Sequence, residues 1–270
     1  ANDTVYYYGQ KYIDLTNYIN IYTDSSGLHG INKVSKKIQL TEEFNNAKEI
    51  HLPFSNNIYW LYFSIKNNTR TGQNLILEIK NPTINKLKLY KIKHGEIIST
   101  PETGDSHPFE TRSVNNRNFI YKILLDPGMT CEFYLRIAPE GDALNIPVSI
   151  YSLSHYTEIL SSSNLTYGLF FGILVAVLIT TLLFWLINAE IKENNYFLWF
   201  FAYVFCVGFF IFNFDGFAFQ YFYPQSSWLT NKMMITLPLL IVFFLSRFAI
   251  AYFDRSEERR VGKECATGCR

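Results

Sequence analysis

The sequence predicts an all-β antiparallel sandwich domain followed by transmembrane α-helices. Apolar and polar residues alternate with a period of two through most of the first half of the chain, which is typical of β-strands. Three long uncharged runs follow. Between residues 165 and 253 the charged residues are only Glu190, Lys192, Glu193, Asp215, Lys232 and Arg247. Such a change of composition indicates a change of solvent from water to lipid.

The clearest predicted strand covers residues 59–66. Its two faces alternate along the chain, with Tyr59, Leu61, Phe63 and Ile65 on one side and Trp60, Tyr62, Ser64 and Lys66 on the other. The same pattern predicts strands at 75–79, 86–90, 119–125, 131–137 and 148–150. Turn residues such as Asp126-Pro127-Gly128 separate these runs. Short strands at this spacing predict an antiparallel sandwich over residues 1–152.

The first part of this domain has a weaker pattern. Residues 13–15 and 19–22 are interpreted as edge strands, and residues 23–30 as a polar loop. Cys131 is the domain's one cysteine, so no disulfide within the domain is expected. The chain begins at Ala1 without a secretion leader, and an outer domain requires one. We therefore infer either a removed signal peptide or a fragment.

A membrane region is predicted over residues 166–254, after a Ser-rich juxtamembrane linker at 153–165. Its helices are expected at about 167–188, 195–213 and 232–253, and Pro238 is expected to kink the third. Each run approaches the ~20 residues that cross the hydrocarbon core. A buried helix of a soluble protein is the alternative for one such run. Three in succession favour the membrane.

The large first domain sets the expected topology. If it lies outside, the first helix reaches the cytoplasm at residues 188–194 and the second returns to an external loop at 213–232. The aromatic residues of that loop suit the bilayer interface. Arg247 can then extend toward the cytoplasmic headgroups. A cytoplasmic tail at 255–270 would follow, although residues 256–265 resemble translated sequencing-adaptor sequence. The alternative is a natural basic juxtamembrane tail.

A resemblance to one bacterial family rests on several segments taken together. The most specific is Thr103-Gly-Asp-Ser-His-Pro-Phe-Glu-Thr-Arg112, which is similar to a Gly-Asp…Pro-Phe…Arg run in that family. The other segments are Tyr12-Ile-Asp-Leu-Thr, Tyr22-Thr-Asp-Ser-Ser-Gly, Tyr59-Trp-Leu-Tyr-Phe-Ser-Ile-Lys-Asn67, Leu87-Lys-Leu-Tyr90, Tyr134-Leu-Arg-Ile137, Tyr167-Gly-Leu-Phe-Phe-Gly172 and Asn194-Asn-Tyr-Phe-Leu198. The chain thus resembles the seven-transmembrane receptors with diverse intracellular signalling modules, of the type with the second extracellular domain.

The resemblance implies a jelly-roll sensor domain, similar to carbohydrate-binding modules, above a seven-helix membrane unit. It further implies a bacterial cytoplasmic (inner) membrane location with the first domain in the periplasm. Family members signal to cytoplasmic kinase, cyclase, phosphatase or DNA-binding modules. This sequence has three predicted helices instead of seven and no such module. A complete receptor therefore does not follow from it.

Four aromatic residues are candidates for a sugar-binding platform. Trp60, Tyr62, Tyr90 and Tyr134 share the more polar face of their strands, and sugar rings stack on aromatic side chains through their apolar C–H faces. The alternative is that this face is covered by a second layer, which would make Trp60 a core residue.

Three charged residues are candidates for binding a polar ligand. Asp105, Arg112 and Arg136 could recognise carboxylate or neighbouring hydroxyl groups, since a guanidinium is a planar fork of donors. The alternative is an internal pair of Asp105 and Arg112 that fixes residues 103–112 on the sheet.

The remaining classes of function have weak support. The net charge of +1 gives no indication of nucleic-acid binding, and the scattered histidines predict neither metal nor cofactor. No catalytic motif is present, so an enzyme is not expected. The expected partners are the lipid bilayer and a small-molecule or carbohydrate ligand, with a homodimer left open. Gly168, Gly172 and Gly208 could allow close helix contact. A signalling receptor is favoured, and a membrane-tethered binding protein is the alternative.

Overall fold

A computed structural model describes residues 4–40, 50–187 and 195–267, and for 38–40, 227 and 254–267 it describes the backbone alone. The chain forms two compact units. The first comprises Ala1–Ser161 and Asp215–Trp228, and the second Ser162–Phe214 and Leu229–Arg270. The predicted cytoplasmic loop at 188–194 and the last three residues of the predicted tail lie outside the described part.

Six strands of the first unit form one sheet: β1 (Val5–Tyr7), β3 (Asn20–Asp24), β5 (Ile58–Asn67), β7 (Lys86–Lys93), β8 (Glu96–Ser99) and β10 (Thr130–Ala138). Their order is β1-β5-β10-β7-β8, and β3 also pairs with β5. All pairs are antiparallel except β1 with β5, which is parallel. The predicted antiparallel pattern therefore holds for all but this terminal strand.

The second sheet has four strands, β2 (Tyr12–Asp14), β6 (Gln73–Ile79), β9 (Phe119–Leu125) and β12 (Val148–Ser152). Their order is β2-β12-β6-β9. A short pair, β4 (His51–Leu52) and β11 (Leu144–Asn145), lies apart from both sheets. The β-sandwich predicted from the alternation is thus confirmed, whereas the jelly-roll connectivity stays a prediction.

The main core lies between the two sheets. On the first sheet Phe63 and Phe133 stack with ring centroids 5.2 Å apart, and on the second Leu77 and Ile150 belong to the same buried cluster. These side chains come from the apolar phase of the period-two pattern, as expected. Their burial supplies the hydrophobic stabilisation of a domain without a disulfide.

Helices cover the outer faces of both sheets. Helix α1 (Ile31–Leu40), which the sequence interpretation missed, packs on the first sheet through Val34. Helix α2 (Leu153–Ile187) begins directly after β12, and its residues Tyr156, Ile159 and Leu160 pack on the second sheet. The segment predicted as a linker at 153–165 is therefore helical and continuous with the first membrane helix.

The second unit contains apolar helices, and three helices among the described residues are long and apolar enough to cross a membrane. The spans lie in Leu153–Ile187, Asn195–Phe214 and Trp228–Phe253. They belong to α2, α3 (Asn195–Phe214) and α5 (Ser227–Thr267). A five-residue helix, α4 (Phe217–Tyr221), lies in the first unit. The predicted membrane helices are confirmed.

One of the three glycines expected at helix contacts lies at such a contact. A Cβ atom built on Gly208 of α3 would come within 2.7 Å of the Leu174 side chain of α2. For Gly168 and Gly172, no described atom lies within 4 Å of such a Cβ atom. Close packing of α2 and α3 therefore depends on Gly208, as small residues allow.

Candidate functional site

The aromatic residues predicted as a platform are mostly buried beneath α1. Trp60, Tyr62 and Tyr134 form one cluster with Val34 of that helix, and Trp60 is 1% exposed. The rings of Tyr62 and Tyr134 lie 4.8 Å apart. The prediction of an open sugar-binding platform is therefore wrong. Helix α1 forms a second layer over this face, and Trp60 is a core residue. Tyr90, 5.6 Å from Trp60, stays half-buried at the edge of the cluster.

A polar groove opens on the same outer face, beyond the area covered by α1. It has a volume of about 500 Å³. Arg136 of β10 lies in it and makes an ion pair with Glu102 at 3.3 Å. Lys86 of β7 makes another with Glu140 at 2.5 Å. The remaining lining residues are Asn56, Ile58 and Ala138.

The groove has paired charges of both signs. The hydrogen bond from Lys86 holds the pKa of Glu140 below its usual range. Glu140 also accepts a hydrogen bond from the Ser106 hydroxyl at 3.0 Å. Such an arrangement presents both donors and acceptors, which suits a ligand with many hydroxyl groups. Of the predicted site residues, Arg136 is the one that lines this groove.

Arg112 is a structural anchor in this fold. Its guanidinium donates to the carbonyl oxygens of Pro82, at 3.1 Å, Asn116 and Arg117. It also lies over the ring of Phe119, with 4.3 Å to the ring centroid. Burial lowers the pKa of Arg112 to about 10, so the side chain stays charged at neutral pH. Arg112 therefore fixes the loop that follows residue 103, as the structural alternative predicted. It does so through backbone carbonyl groups and not through a pair with Asp105.

Asp105 is buried near Arg112, but no hydrogen bond or ion pair joins the two in the described structure. Asp105 is 3% exposed, and its Oδ1 atom has no hydrogen-bond partner among the residues described. Burial raises the pKa of this carboxyl to about 7, and repulsion by Asp142 and Glu140 adds to the effect against the attraction of Arg112. The direct pair of Asp105 with Arg112, the alternative predicted from the sequence, is therefore not formed in the described part of the chain.

The segment between the second and third membrane helices packs on the β-sandwich within the first unit. Phe219 of α4 is 1% exposed and meets the edge of the Phe109 ring at 5.5 Å. The same Phe219 ring lies 5.7 Å from the Arg112 guanidinium. In addition, the Phe109 N–H donates to the Pro224 carbonyl at 2.8 Å. This segment, residues 215–228, is called the docked segment below.

Charge and backbone shape reinforce this contact. Arg117 makes an ion pair with Asp215 at 3.8 Å and lies over the Phe217 ring at 4.6 Å. Gly216 has a φ angle of 80°, and a Cβ atom built on it would be 2.6 Å from Pro82. Only glycine adopts this backbone at so close an approach without strain. Sequence reasoning missed this contact, although a charged Asp215 beside an aromatic run in a membrane region was a usable signal.

The fold and these contacts define a β-sandwich domain joined to helices that are long and apolar enough to cross a membrane. Two family comparisons give the particular class. Residues 16–152 match the family "7TMR-DISM extracellular 2", and residues 163–265 match "7TM diverse intracellular signalling". The chain belongs to this receptor family. Both families describe receptor and signalling parts, which indicates a role other than catalysis.

Likeness to solved structures is slight. An insecticidal crystal protein, CRY2AA, is 9% identical with a TM-score of 0.25, and the match covers 38% of this chain. A family GH115 4-O-methyl-alpha-glucuronidase, BtGH115A, is 17% identical with a TM-score of 0.22 over 40% of this chain. The chain spans 16% of the length of each. A comparison with curated proteins found no match.

Proposed function

We propose that this chain senses a small ligand, a carbohydrate, with its outer domain and relays the binding event through the bacterial inner membrane to a cytoplasmic module. The docked segment is the observation that supports this most directly. It connects the second and third membrane helices, and Phe219 within it packs against Phe109 and Arg112 of the sandwich. A protein that only captured a ligand at the surface would have no need of such a contact.

The physical requirement for signalling is a difference in affinity between two arrangements of the protein. A ligand shifts an equilibrium only as far as it binds one arrangement better than the other. Two features link the sandwich to the membrane helices. These are the start of α2 on the second sheet, through Tyr156, and the docked segment, through Phe219. A change in the sandwich that alters either contact would therefore reach the helices.

The carbohydrate assignment is supported by the polar groove. Arg136, Glu102, Lys86 and Glu140 provide donors and acceptors around a volume of about 500 Å³, which is within the usual range for small-molecule sites. A homodimer in the membrane is consistent with this function and is part of the proposal.

A glycan array with the full chain in lipid nanodiscs tests ligand binding. We expect Arg136→Ala to weaken binding about tenfold, because it removes charge-assisted hydrogen bonds. Arg70→Ala is the matched control, since Arg70 is exposed on a turn and does not line the groove. If no glycan binds, or if both variants bind equally well, the carbohydrate assignment is wrong.

Hydrogen–deuterium exchange then tests the relay. The bound glycan should change amide exchange in residues 215–228 by at least about fivefold, the lower end of typical coupling. Amides of the turn at residues 67–71 provide the internal control. A glycan that binds at the groove without altering exchange in the docked segment would instead identify a membrane-tethered binding protein.

A further inference from the structure

A second cavity lies at the open side of the sandwich, between strands that end the two sheets. Strand β8 is last in the first sheet and β9 is last in the second. The cavity between them has a volume of about 330 Å³, which is at the lower end for small-molecule sites. It shares no lining residue with the polar groove. All of its lining residues belong to the first unit.

The inner walls of this cavity are mainly apolar. Leu89, Ile123 and Phe133 line it, and all three are buried residues of the core cluster between the sheets. Apolar walls of this kind favour a ligand with an apolar body, because binding removes hydrocarbon surface from water. A sugar, which has hydroxyl groups on most of its atoms, would lose hydrogen bonds to water against these walls.

Polar groups in the cavity point to an anionic ligand. Tyr121 lines the cavity at 4% exposure, and its hydroxyl lies beside Thr100 but makes no hydrogen bond of good geometry among the described residues. A buried donor of this kind is costly unless a ligand or water accepts its hydrogen bond. Lys91 also lines the cavity, with its ammonium group 6.0 Å from the centroid of the Phe133 ring, and none of the lining residues is acidic. The side chains around the cavity therefore have an excess of positive charge.

We propose that this cavity binds a small organic anion with an apolar body, such as an aromatic or short aliphatic monocarboxylate. The apolar body lies against Leu89, Ile123 and Phe133. The carboxylate accepts hydrogen bonds from the Tyr121 hydroxyl and from a lysine ammonium group, and such charge-assisted bonds are the stronger kind. This gives the outer domain a second ligand site whose chemistry differs from that of the polar groove.

The cavity lies next to the loop that holds the docked segment. Ser113 and Val114 line it, and they directly follow Arg112, whose guanidinium contacts Phe219. An anion in the cavity would therefore contact the same loop. An effect of this contact on signalling rests on the proposed relay function. Binding of the anion does not depend on that function, so the two fail separately.

Fluorine NMR of trifluoromethyl-phenylacetate with the full chain in nanodiscs tests the site. We expect saturable line broadening by the parent protein. Tyr121→Phe and Lys91→Gln should each weaken binding about tenfold, because each removes one charge-assisted hydrogen bond. The neutral analogue trifluoromethyl-phenylethanol should bind at least about tenfold more weakly than the anion for the same reason.

A pair of neighbouring variants locates the binding. Ile98 lines the cavity and is 49% exposed, whereas Ile97 is 39% exposed on the same strand and does not line it. Ile98→Trp should abolish the saturable signal, and Ile97→Trp should leave it intact. Partitioning of the fluorinated anion into the nanodisc lipid is the same background signal for both variants. The proposal is overturned if the two variants behave alike, if the neutral analogue binds as tightly as the anion, or if phenylacetate, benzoate and hexanoate derivatives all fail to bind.

Discussion

At the scale of single residues, Arg112 illustrates how a buried charge can be stabilised without a carboxylate partner. Removing a guanidinium from water is costly unless its donors find acceptors. Here backbone carbonyl groups of Pro82, Asn116 and Arg117 accept its hydrogen bonds, and the rings of Phe109 and Phe119 lie at cation–π distances of 4.7 and 4.3 Å. One side chain thus joins two separate stretches of backbone, around Pro82 and at residues 116–117, so its loss would loosen both of them.

Asp105 should make the outer domain less stable as the pH rises. Its pKa is raised to about 7 in the folded protein, against about 3.9 in an unfolded chain. Between these values the folded state keeps a proton that the unfolded state has lost, so stability decreases as pH increases through this window. We expect the free energy of unfolding to fall by about 2 kcal/mol between pH 5 and pH 7 because of this group.

Thermal unfolding of the full chain in nanodiscs, followed by near-ultraviolet circular dichroism, measures this effect. Asp105→Asn should flatten the dependence between pH 5 and pH 8, because the amide does not titrate. Asp126→Asn, on an exposed turn, is the control and should keep the parent's pH profile. A parent and an Asp105→Asn variant with parallel profiles would contradict the prediction.

Trp60 marks the limit of sequence reasoning at this scale. The period-two pattern correctly separates Leu61 and Phe63 from Trp60 and Tyr62, since the two pairs belong to different buried clusters. It does not tell whether the second face contacts water or another layer, because that depends on a helix more than twenty residues earlier in the chain. Aromatic residues suit both environments.

At the scale of elements, strands with clear alternation were predictable and the covering helix was missed. The strands around residues 59–66 and 131–137 appear as β5 and β10 with nearly the predicted bounds. Helix α1 had a local signal, because Ile31, Val34 and Ile38 are spaced as on one face of a helix. No element was nevertheless predicted for this segment, whose apolar pattern is interrupted by lysines. The burial of Val34 against the sheet stabilises the helix, as tertiary packing usually does for short helices.

Close packing of α2 and α3 should depend on Gly208. Gly208→Ile would force the added side chain into Leu174, which lies 2.7 Å from the position of a Cβ atom. Overpacking of this kind costs about 1–3 kcal/mol, although movement of Leu174 lowers the cost. We expect Gly208→Ile to lower the dodecyl sulfate concentration at which the helices unfold, measured by far-ultraviolet circular dichroism.

Gly172→Ile on α2 is the matched control for this prediction. It adds the same side chain to a membrane helix at a position where no described atom lies within 4 Å of the new Cβ atom. The control should therefore unfold at the parent's detergent concentration. Equal shifts for the two variants would mean that helix propensity, and not the contact with Leu174, determines the outcome.

At the scale of the whole molecule, the chain returns to its first compact unit after two membrane helices. Residues 215–228 lie in that unit although residues 162–214 and those from 229 onward form the other. Composition alone predicted the division between a water-exposed sandwich and apolar helices. It did not predict this return, because Phe109 and Phe219 are more than a hundred residues apart and the aromatic residues of the loop suit the bilayer interface as well.

Phe219 should hold the docked segment in place. Phe219→Ala would remove a fully buried ring from contact with Phe109 and Arg112, a change that typically costs about 3–5 kcal/mol. We expect amide exchange in residues 215–223 to become at least about tenfold faster, as measured by hydrogen–deuterium exchange of the full chain in nanodiscs. Amides of β10 should exchange at the parent's rate.

Phe222→Ala serves as the control for Phe219→Ala. Phe222 lies in the same segment but is 64% exposed, so its truncation should change exchange far less. Faster exchange in both variants to the same extent would show that the segment depends on aromatic content in general. In that case the specific contact with Phe109 would not hold it.

Pro238 in α5 has a further consequence for the membrane helices. Proline lacks an N–H group, so the carbonyl oxygen of Met234, one turn earlier, loses its helical donor. In hydrocarbon that oxygen cannot turn to water. The side of α5 with this gap in its hydrogen-bond ladder should therefore face neighbouring protein or enclosed solvent, which fixes how the helix is rotated about its own axis within the bilayer.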